Sequence, residues 1–300
     1  MNSSTEHERK KETVRFIQKL AHTDGKLRSP IDLNISYMKI VNLNPVQWFN
    51  YNVTPKKLKL SNTGYTVMLS ATWREEEPYL CGGPLVGNYV FSQLHFHWGK
   101  TDMDGSEHRV DGGSMSMELH AVHYKSEYGT QLGALRQTDG VTILVYLFQV
   151  CFRNSNCIQL QAAPNPLLAD IINTIPFIQA AHSSIRLIPF PLMNIMRCFQ
   201  RDYFVYWGSI TMTNIRNSVL WLISRRPLGI SIDQIAEFRT LCNERKMPIL
   251  TNCQPLQDRG DRNVFHVCPS GSSYATLLPI SRDADDNYIP EDDIDRNDKQ

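Results

Sequence analysis

Three hundred residues, 42% hydrophobic and 20% charged, are enough to bury a full core, as one large mainly-β domain or two smaller ones. A formal net charge of +1 gives no reason to expect nucleic acid or an anionic membrane as partner, and the longest apolar stretch, 141–152, is interrupted by Thr142 and Gln149 and falls far short of a membrane span. Seven cysteines, an odd count with no CxxC pair, argue against a disulfide framework and for a reducing compartment, with the cytosol as the expected location.

The chain opens on MNSSTEHERKK, which has no apolar run behind its charges, so no secretory signal is expected. Residues 11–22 set Val14, Ile17, Leu20 and Ala21 at helical spacing and predict a short amphipathic helix inside a charged extension over 1–27. After Pro30 the texture changes to short β-forming runs split by Gly, Pro and Asn: 66–73, 89–98, 115–124, 141–152, 203–213 and 218–224. Helices are predicted over 164–177, with Leu167, Leu168, Ile171 and Ile172 on one side, and over 232–243, capped by Ser231 or Asp233. No repeat and no Gly/Ser linker divides the chain. The expected architecture is one α+β domain over 28–268, mainly β with peripheral helices around a large, mostly antiparallel twisted sheet. An acidic tail over 269–300 follows; its last nineteen residues carry eight acids against three bases and are expected to be disordered.

In Gln93-Leu-His-Phe-His-Trp-Gly99 the residue types alternate strictly. On a strand, Gln93, His95 and His97 project from one face while Leu94, Phe96 and Trp98 pack against the other. An HxH pair alone is a weak signal, because a lone strand histidine is more often an ordinary packed residue. The run 115–124 adds Glu118 and His120, again two apart. Three imidazoles would leave a tetrahedral zinc with one open position, the layout of a catalytic site rather than a structural one. Gln93 and Glu118 suit the positions behind the ligands, each accepting the remaining N–H of a ligand histidine and fixing its tautomer.

The surrounding segments carry a resemblance. Leu80-Cys-Gly-Gly-Pro-Leu-Val-Gly-Asn-Tyr89, the HxH run, Gly105-Ser-Glu-His-Arg-Val-Asp111 and Glu118-Leu-His-Ala-Val-His123 together resemble the central block of the alpha-class carbonic anhydrases. Ser29-Pro-Ile-Asp32, Tyr206-Trp-Gly-Ser-Ile-Thr211, Val219-Leu-Trp221 and Gln254-Pro-Leu256 fit the flanking motifs in the same order. The resemblance implies a zinc lyase that hydrates carbon dioxide reversibly to bicarbonate and a proton, with a part in acid–base balance. Zinc lowers the pKa of its bound water from near 16 to roughly 7, which makes hydroxide available as nucleophile at neutral pH. By the same resemblance His95, His97 and His120 hold the metal. Thr211 accepts the hydroxide's proton in a hydrogen bond and donates its own to Glu107, and Val122, Ile143, Ile210 and Trp221 form the apolar wall for carbon dioxide. Carbon dioxide and bicarbonate are the implied partners, with neither nucleic acid nor membrane, and a monomer is expected.

Four departures accompany the resemblance. Tyr65 stands where efficient members place a shuttle histidine, and Met212 stands beside the gatekeeper threonine where a small or polar residue is usual. Thr213-Asn214 replaces Pro-Pro, which implies a rearranged loop, and the aromatic N-terminal segment is replaced by the charged helix. The competing reading is a carbonic-anhydrase-related binding module without catalysis; such relatives lose one or more zinc histidines, and all three are present here. A secreted or tethered form is disfavoured, because no cysteine precedes Cys81 and none lies between Cys198 and Cys242.

Overall fold

The β-forming runs become sixteen strands in the computed structural model, which describes residues 3–22, 27–150, 164–212 and 215–269. The first part of the chain carries α1 (Ser3–Lys19), β1 (Asp32–Leu33), β2 (Lys39–Val41), β3 (Val46–Phe49), β4 (Lys57–Asn62), β5 (Val67–Thr72) and β6 (Tyr79–Gly82). The middle holds β7 (Tyr89–Trp98), β8 (Arg109–Val110), β9 (Gly113–Ser114), β10 (Met117–Lys125), α2 (Gln131–Leu135) and β11 (Val141–Val150). The remainder supplies α3 (Ala169–Ile172), β12 (Ser184–Leu187), β13 (Tyr203–Met212), β14 (Ile215–Ser224), β15 (Leu228–Ile230), α4 (Ile232–Phe238) and β16 (Phe265–Val267).

Thirteen strands form one mixed sheet whose main path runs β12-β4-β5-β7-β10-β11-β14-β13-β16-β2, while β1, β8 and β9 make a small separate sheet. Antiparallel pairing predominates around β7 and β10, as expected, but β11 pairs parallel with β14 and β16 parallel with β2. The middle strands are covered on both faces. Leu94, Phe96, Trp98, Leu119, Ala121, Leu144 and Tyr146 enter the larger apolar cluster on one side. Val122, Ile143, Val145, Phe204, Tyr206, Trp221 and Ile223 belong to a second cluster on the other. The strict alternation of β7 over 93–98 is what permits this: Gln93, His95 and His97 reach a cleft while Leu94, Phe96 and Trp98 are wholly buried.

The helices differ more from expectation than the strands do. Helix α1 begins eight residues before the predicted start and continues as a 3-10 turn over Leu20–His22. Its first half has no apolar periodicity and is supported by the Glu6–Lys10 pair at 2.8 Å, an i,i+4 arrangement that an apolar pattern does not reveal. Its end is anchored: Ile17 is fully buried, and its carbonyl accepts a 2.7 Å hydrogen bond from the Trp207 indole on β13. The continuous helix predicted over 164–177 is instead broken into 3-10 Pro166–Leu168, α3 and 3-10 Ile175–Phe177. Pro176 cannot donate to a preceding turn and disfavours helical geometry at Ile175, which accounts for the break. The second predicted helix stops at Phe238 rather than 243, although Ser231 caps it as expected, in a reciprocal box with Gln234. Beyond it Cys242 donates its N–H to the Gln179 carbonyl, so the chain leaves helical pairing for a tertiary contact. The predicted strand ends at 151–152, the rearranged loop at 213–214, and the tail from 270 onward lie outside the described residues.

Gly99 closes β7 where the backbone is most crowded. A Cβ there would sit 1.6 Å from the Asp104 carbonyl oxygen, a backbone atom that cannot swing away. Overpacking of this kind costs about 1–3 kcal/mol or more. Gly99→Ala should therefore lower the Tm by about 5 °C, read from a thermal melt; an unchanged Tm would mean that the 99–105 turn is not packed as described.

Candidate metal centre

β7 and β10 bring the three histidines together by register. His120 on β10 pairs directly with His95 on β7, and Glu118 pairs with His97, so all three rings rise from neighbouring rows of one face. Ring centroids lie 5.1 Å apart for His95–His97, 5.2 Å for His95–His120 and 4.4 Å for His97–His120. Their candidate ligand nitrogens all lie within 4.8 Å of one another.

The hydrogen bonds behind the rings decide which nitrogens face inward. His95 Nδ1 lies 2.9 Å from Gln93 Oε1, so its N–H donates outward and Nε2 is left with a lone pair. His120 uses the opposite nitrogen: Nε2 donates to Glu118 Oε1 at 2.6 Å, which turns Nδ1 inward. His97 Nδ1 faces Glu107 Oε1 at 3.1 Å and the Asn252 carbonyl at 3.4 Å. Its Nε2 is buried without a hydrogen-bond partner, a costly condition that a metal ion would relieve. The donor set therefore fits zinc: three convergent imidazole nitrogens, each oriented from behind. Gln93 and Glu118 are the side chains that meet the outer nitrogens of His95 and His120. Asn252 does not announce itself in sequence, being 155 positions from His97. It is placed by its side chain, whose Oδ1 accepts from Trp98 N–H at 2.8 Å and whose amide donates to the Phe96 carbonyl at 2.9 Å.

Glu118 is wholly buried and fully used. Oε1 accepts from both His120 and His108 Nδ1 at 2.6 Å, and Oε2 accepts the His108 backbone N–H at 2.8 Å. Burial alone would raise its carboxyl, but His108 and His120 hold it well below the usual carboxylate range. His108 therefore stands one step behind the centre rather than apart from it. Its Nε2 meets Tyr206 Oη at 2.6 Å, and Tyr206 donates onward to Ser29 Oγ at 3.0 Å. Burial pushes His95 well below the ordinary imidazole range, and the neighbouring His97 and His120 push it further. Burial and His97 also lower His120, against the pull of Glu118. Burial pushes His97 down as well, but Glu107, with Glu118 and the Asn252 carbonyl, outweighs it and the ring goes up, while His97 holds Glu107 down against its own burial.

The rings lie in a cleft of about 820 Å³. Val122, Ile143, Ile210 and Trp221 line it, and Tyr65, Gln93 and Glu107 line it as well. Glu107 also accepts the Gln254 backbone N–H at 2.8 Å, which places both of the motif segments it belongs with against the cleft. Thr211 and Met212 end β13, with Thr211 in register opposite Arg216 and Met212 opposite Ile215; their side chains lie outside the described atoms. His123, an odd step from His120 and past a register shift, turns away from the cleft and bonds Tyr51 Oη at 2.5 Å.

A sequence profile of the eukaryotic-type carbonic anhydrases matches residues 13–268. The chain belongs to the eukaryotic-type carbonic anhydrase family. It is 32% identical over 247 residues to carbonic anhydrase 1 of Oryctolagus cuniculus, covering 80% of this chain and 98% of that protein. It is 33% identical over 241 residues to carbonic anhydrase 3 of Bos taurus, covering 78% of this chain and 86% of that one. Carbonic anhydrases of this type use zinc, and the cluster of His95, His97 and His120 is able to hold it. No helix among the described residues is long and apolar enough to cross a membrane.

Proposed function

We propose that the chain is an active carbonate dehydratase that interconverts carbon dioxide and bicarbonate, with zinc held by His95 Nε2, His97 Nε2 and His120 Nδ1. The observation that carries the reading is the orphaned, buried His97 Nε2 between two imidazoles whose outer N–H groups are already committed. Zinc in that position supplies a water acidic enough to serve as nucleophile near neutral pH.

The chain's own residues do the rest. Gln93, Glu118 and the Asn252 carbonyl fix the tautomers, so that one ring nitrogen of each ligand is a donor outward and the other an acceptor inward. Val122, Ile143, Ile210 and Trp221 offer a weakly polar gas an apolar surface beside the three rings. Thr211 is assigned as the gatekeeper that orients the nucleophile, with Glu107 behind it; against its burial, His97 holds Glu107 ionised, and the Gln254 N–H it accepts adds support, so it is able to accept a hydrogen bond from a hydroxyl. Met212, at the adjacent position, is assigned to narrow the cleft. A cytosolic setting is proposed on the free thiols of Cys81, Cys198, Cys242, Cys253 and Cys268.

The test joins two measurements on one purified sample: metal content by emission spectroscopy and carbon dioxide hydration by stopped flow. One zinc per chain with hydration well above the uncatalysed rate is expected. Stoichiometric zinc without hydration would establish the binding-module reading instead.

A further inference from the structure

Three consecutive residues, 252–254, hold two of the site's side chains at once. The Asn252 carbonyl accepts from His97 Nδ1 at 3.4 Å, and the Gln254 N–H donates to Glu107 Oε1 at 2.8 Å. His97 Nδ1 and Glu107 Oε1 themselves lie 3.1 Å apart, so the four groups form one small circuit. Cys253 stands between the two contacts in sequence. The Asn252 carbonyl belongs to the peptide group on one side of its Cα, and the Gln254 N–H to the peptide group on the other. Peptide groups are planar, so the φ and ψ of Cys253 alone set how those two groups are turned relative to each other.

The side chain is placed to fix those two angles. Cys253 Sγ lies 3.2 Å from the Gly105 carbonyl oxygen and 3.4 Å from that of Trp98, within reach of a thiol proton. These carbonyls stand at the two ends of the 98–105 segment, which leaves β7 just after His97 and returns two residues before Glu107. The Asn252 N–H donates to the same Trp98 carbonyl at 3.2 Å. Burial pushes the Cys253 thiol up to about 12, so it keeps its proton at neutral pH and serves as a donor rather than a nucleophile. A free cysteine otherwise behaves as a small apolar residue. This one joins two carbonyls, and its own peptide groups meet His97 and Glu107.

We propose that Cys253 is a positioning residue: its thiol clasps the two ends of the 98–105 segment and so orients the Asn252 carbonyl on His97 and the Gln254 N–H on Glu107. It acts through those groups and is neither a ligand nor a catalytic residue. The proposal rests on the zinc reading only for its effect on metal retention; the clasp and its hold on His97 and Glu107 stand without the metal.

The test compares Cys253→Ser, which keeps a hydrogen-bond donor, with Cys253→Ala, which is of similar size and has none. If the cysteine only fills space, alanine is the milder change, because a hydroxyl is the harder group to bury. The clasp predicts the reverse order. The first readout is NMR of the protein as purified, following the His97 Nδ1–H and Gln254 amide signals. Cys253→Ala should move both and Cys253→Ser should move them less, while the His95 ring signals stay in place because Gln93 orients that ring. The second readout is zinc release into excess chelator. It should be about threefold to tenfold faster in Cys253→Ala, below the about 10–100-fold typical of losing a ligand's direct partner, and Cys253→Ser should restore part of the difference. Arg239→Gln controls for a loosened turn. Arg239 holds the same segment from the other direction, with Nε on the Gly99 carbonyl at 2.9 Å and Nη1 on Asp102 Oδ1 at 2.7 Å. That variant should lower the Tm and leave the His97 and Gln254 signals nearer their native positions than Cys253→Ala does. If Cys253→Ala leaves those signals in place, moves them no more than Arg239→Gln, or proves milder than Cys253→Ser, the proposal fails. If the signals respond as expected in a protein that holds no zinc, the metal reading fails and the clasp stands.

Discussion

His97→Ala should yield a folded protein that retains almost no zinc and has lost hydration activity to the same extent. The central place of His97 follows from geometry: it is 4.4 Å from the His120 ring and 5.1 Å from the His95 ring, centroid to centroid, so its removal leaves two imidazoles and no tridentate site. Removing only the partner behind a metal ligand typically costs about 10–100-fold in affinity, and removing the ligand itself must cost more. After dialysis against a mild chelator the variant should therefore hold less than about a tenth of an equivalent of zinc, by emission spectroscopy. The fold should survive, because His97 lies on the cleft face of β7 and not among Leu94, Phe96 and Trp98 in the core. A thermal melt and a His97→Gln variant of similar size separate loss of metal from loss of fold. His123→Ala should keep its zinc, since that ring points to Tyr51. His108→Ala should keep zinc with weakened affinity, because it removes a support of Glu118 rather than a ligand. Full zinc occupancy in both His97 variants would show that the ion sits elsewhere.

The contrast among these three histidines marks what sequence can and cannot disclose. Period-two alternation in 93–98 places His95 and His97 on one face, because a strand with one packed face leaves no freedom in the other. In 115–124 the odd step from His120 sets His123 on the other face. The role of His108 was not legible, since a buried imidazole bonded to Glu118 and Tyr206 across 98 positions leaves no periodic trace. Asn252 escaped for the same reason, its contact to His97 spanning 155 positions. Among the elements, long runs such as β7, β11 and β13 were readable, whereas β12, four residues paired among the described residues only to β4, was not. Short edge strands bury too little to impose a pattern on their own sequence. Apolar spacing over 164–177 predicts one continuous helix, and Pro176 overrides it.

The second large effect concerns protons. Each hydration of carbon dioxide to bicarbonate releases one proton into the cleft, and turnover cannot repeat until that proton reaches bulk buffer. A histidine, titrating near pKa 6.5, both takes up and releases protons at neutral pH, whereas a tyrosine side chain ordinarily titrates near 10. Tyr65 lines the cleft at 71% exposure, at the position where a shuttle is expected. Met68, in register opposite His95, lines it too and offers no strong hydrogen bond to a water chain. His182 lies behind the Gly64 turn, with Cε1 3.6 Å from where a Cβ on Gly64 would be, and pairs with Glu244 outside the cleft lining. Proton export should therefore limit kcat, while kcat/KM, governed by the metal centre and the apolar wall, is affected less. Raising imidazole buffer from low to high millimolar concentration should increase kcat by about tenfold, short of the about 10²–10⁴-fold that a positioned proton-transfer group contributes. Tyr65→His should raise kcat in dilute buffer and flatten that dependence, and His182→Ala should leave it unchanged. A flat response in the native protein that becomes buffer-dependent in His182→Ala would make His182 the acceptor in place of the buffer. A flat response in every variant would mean that chemistry within the cleft, and not the exit of the proton, sets the rate.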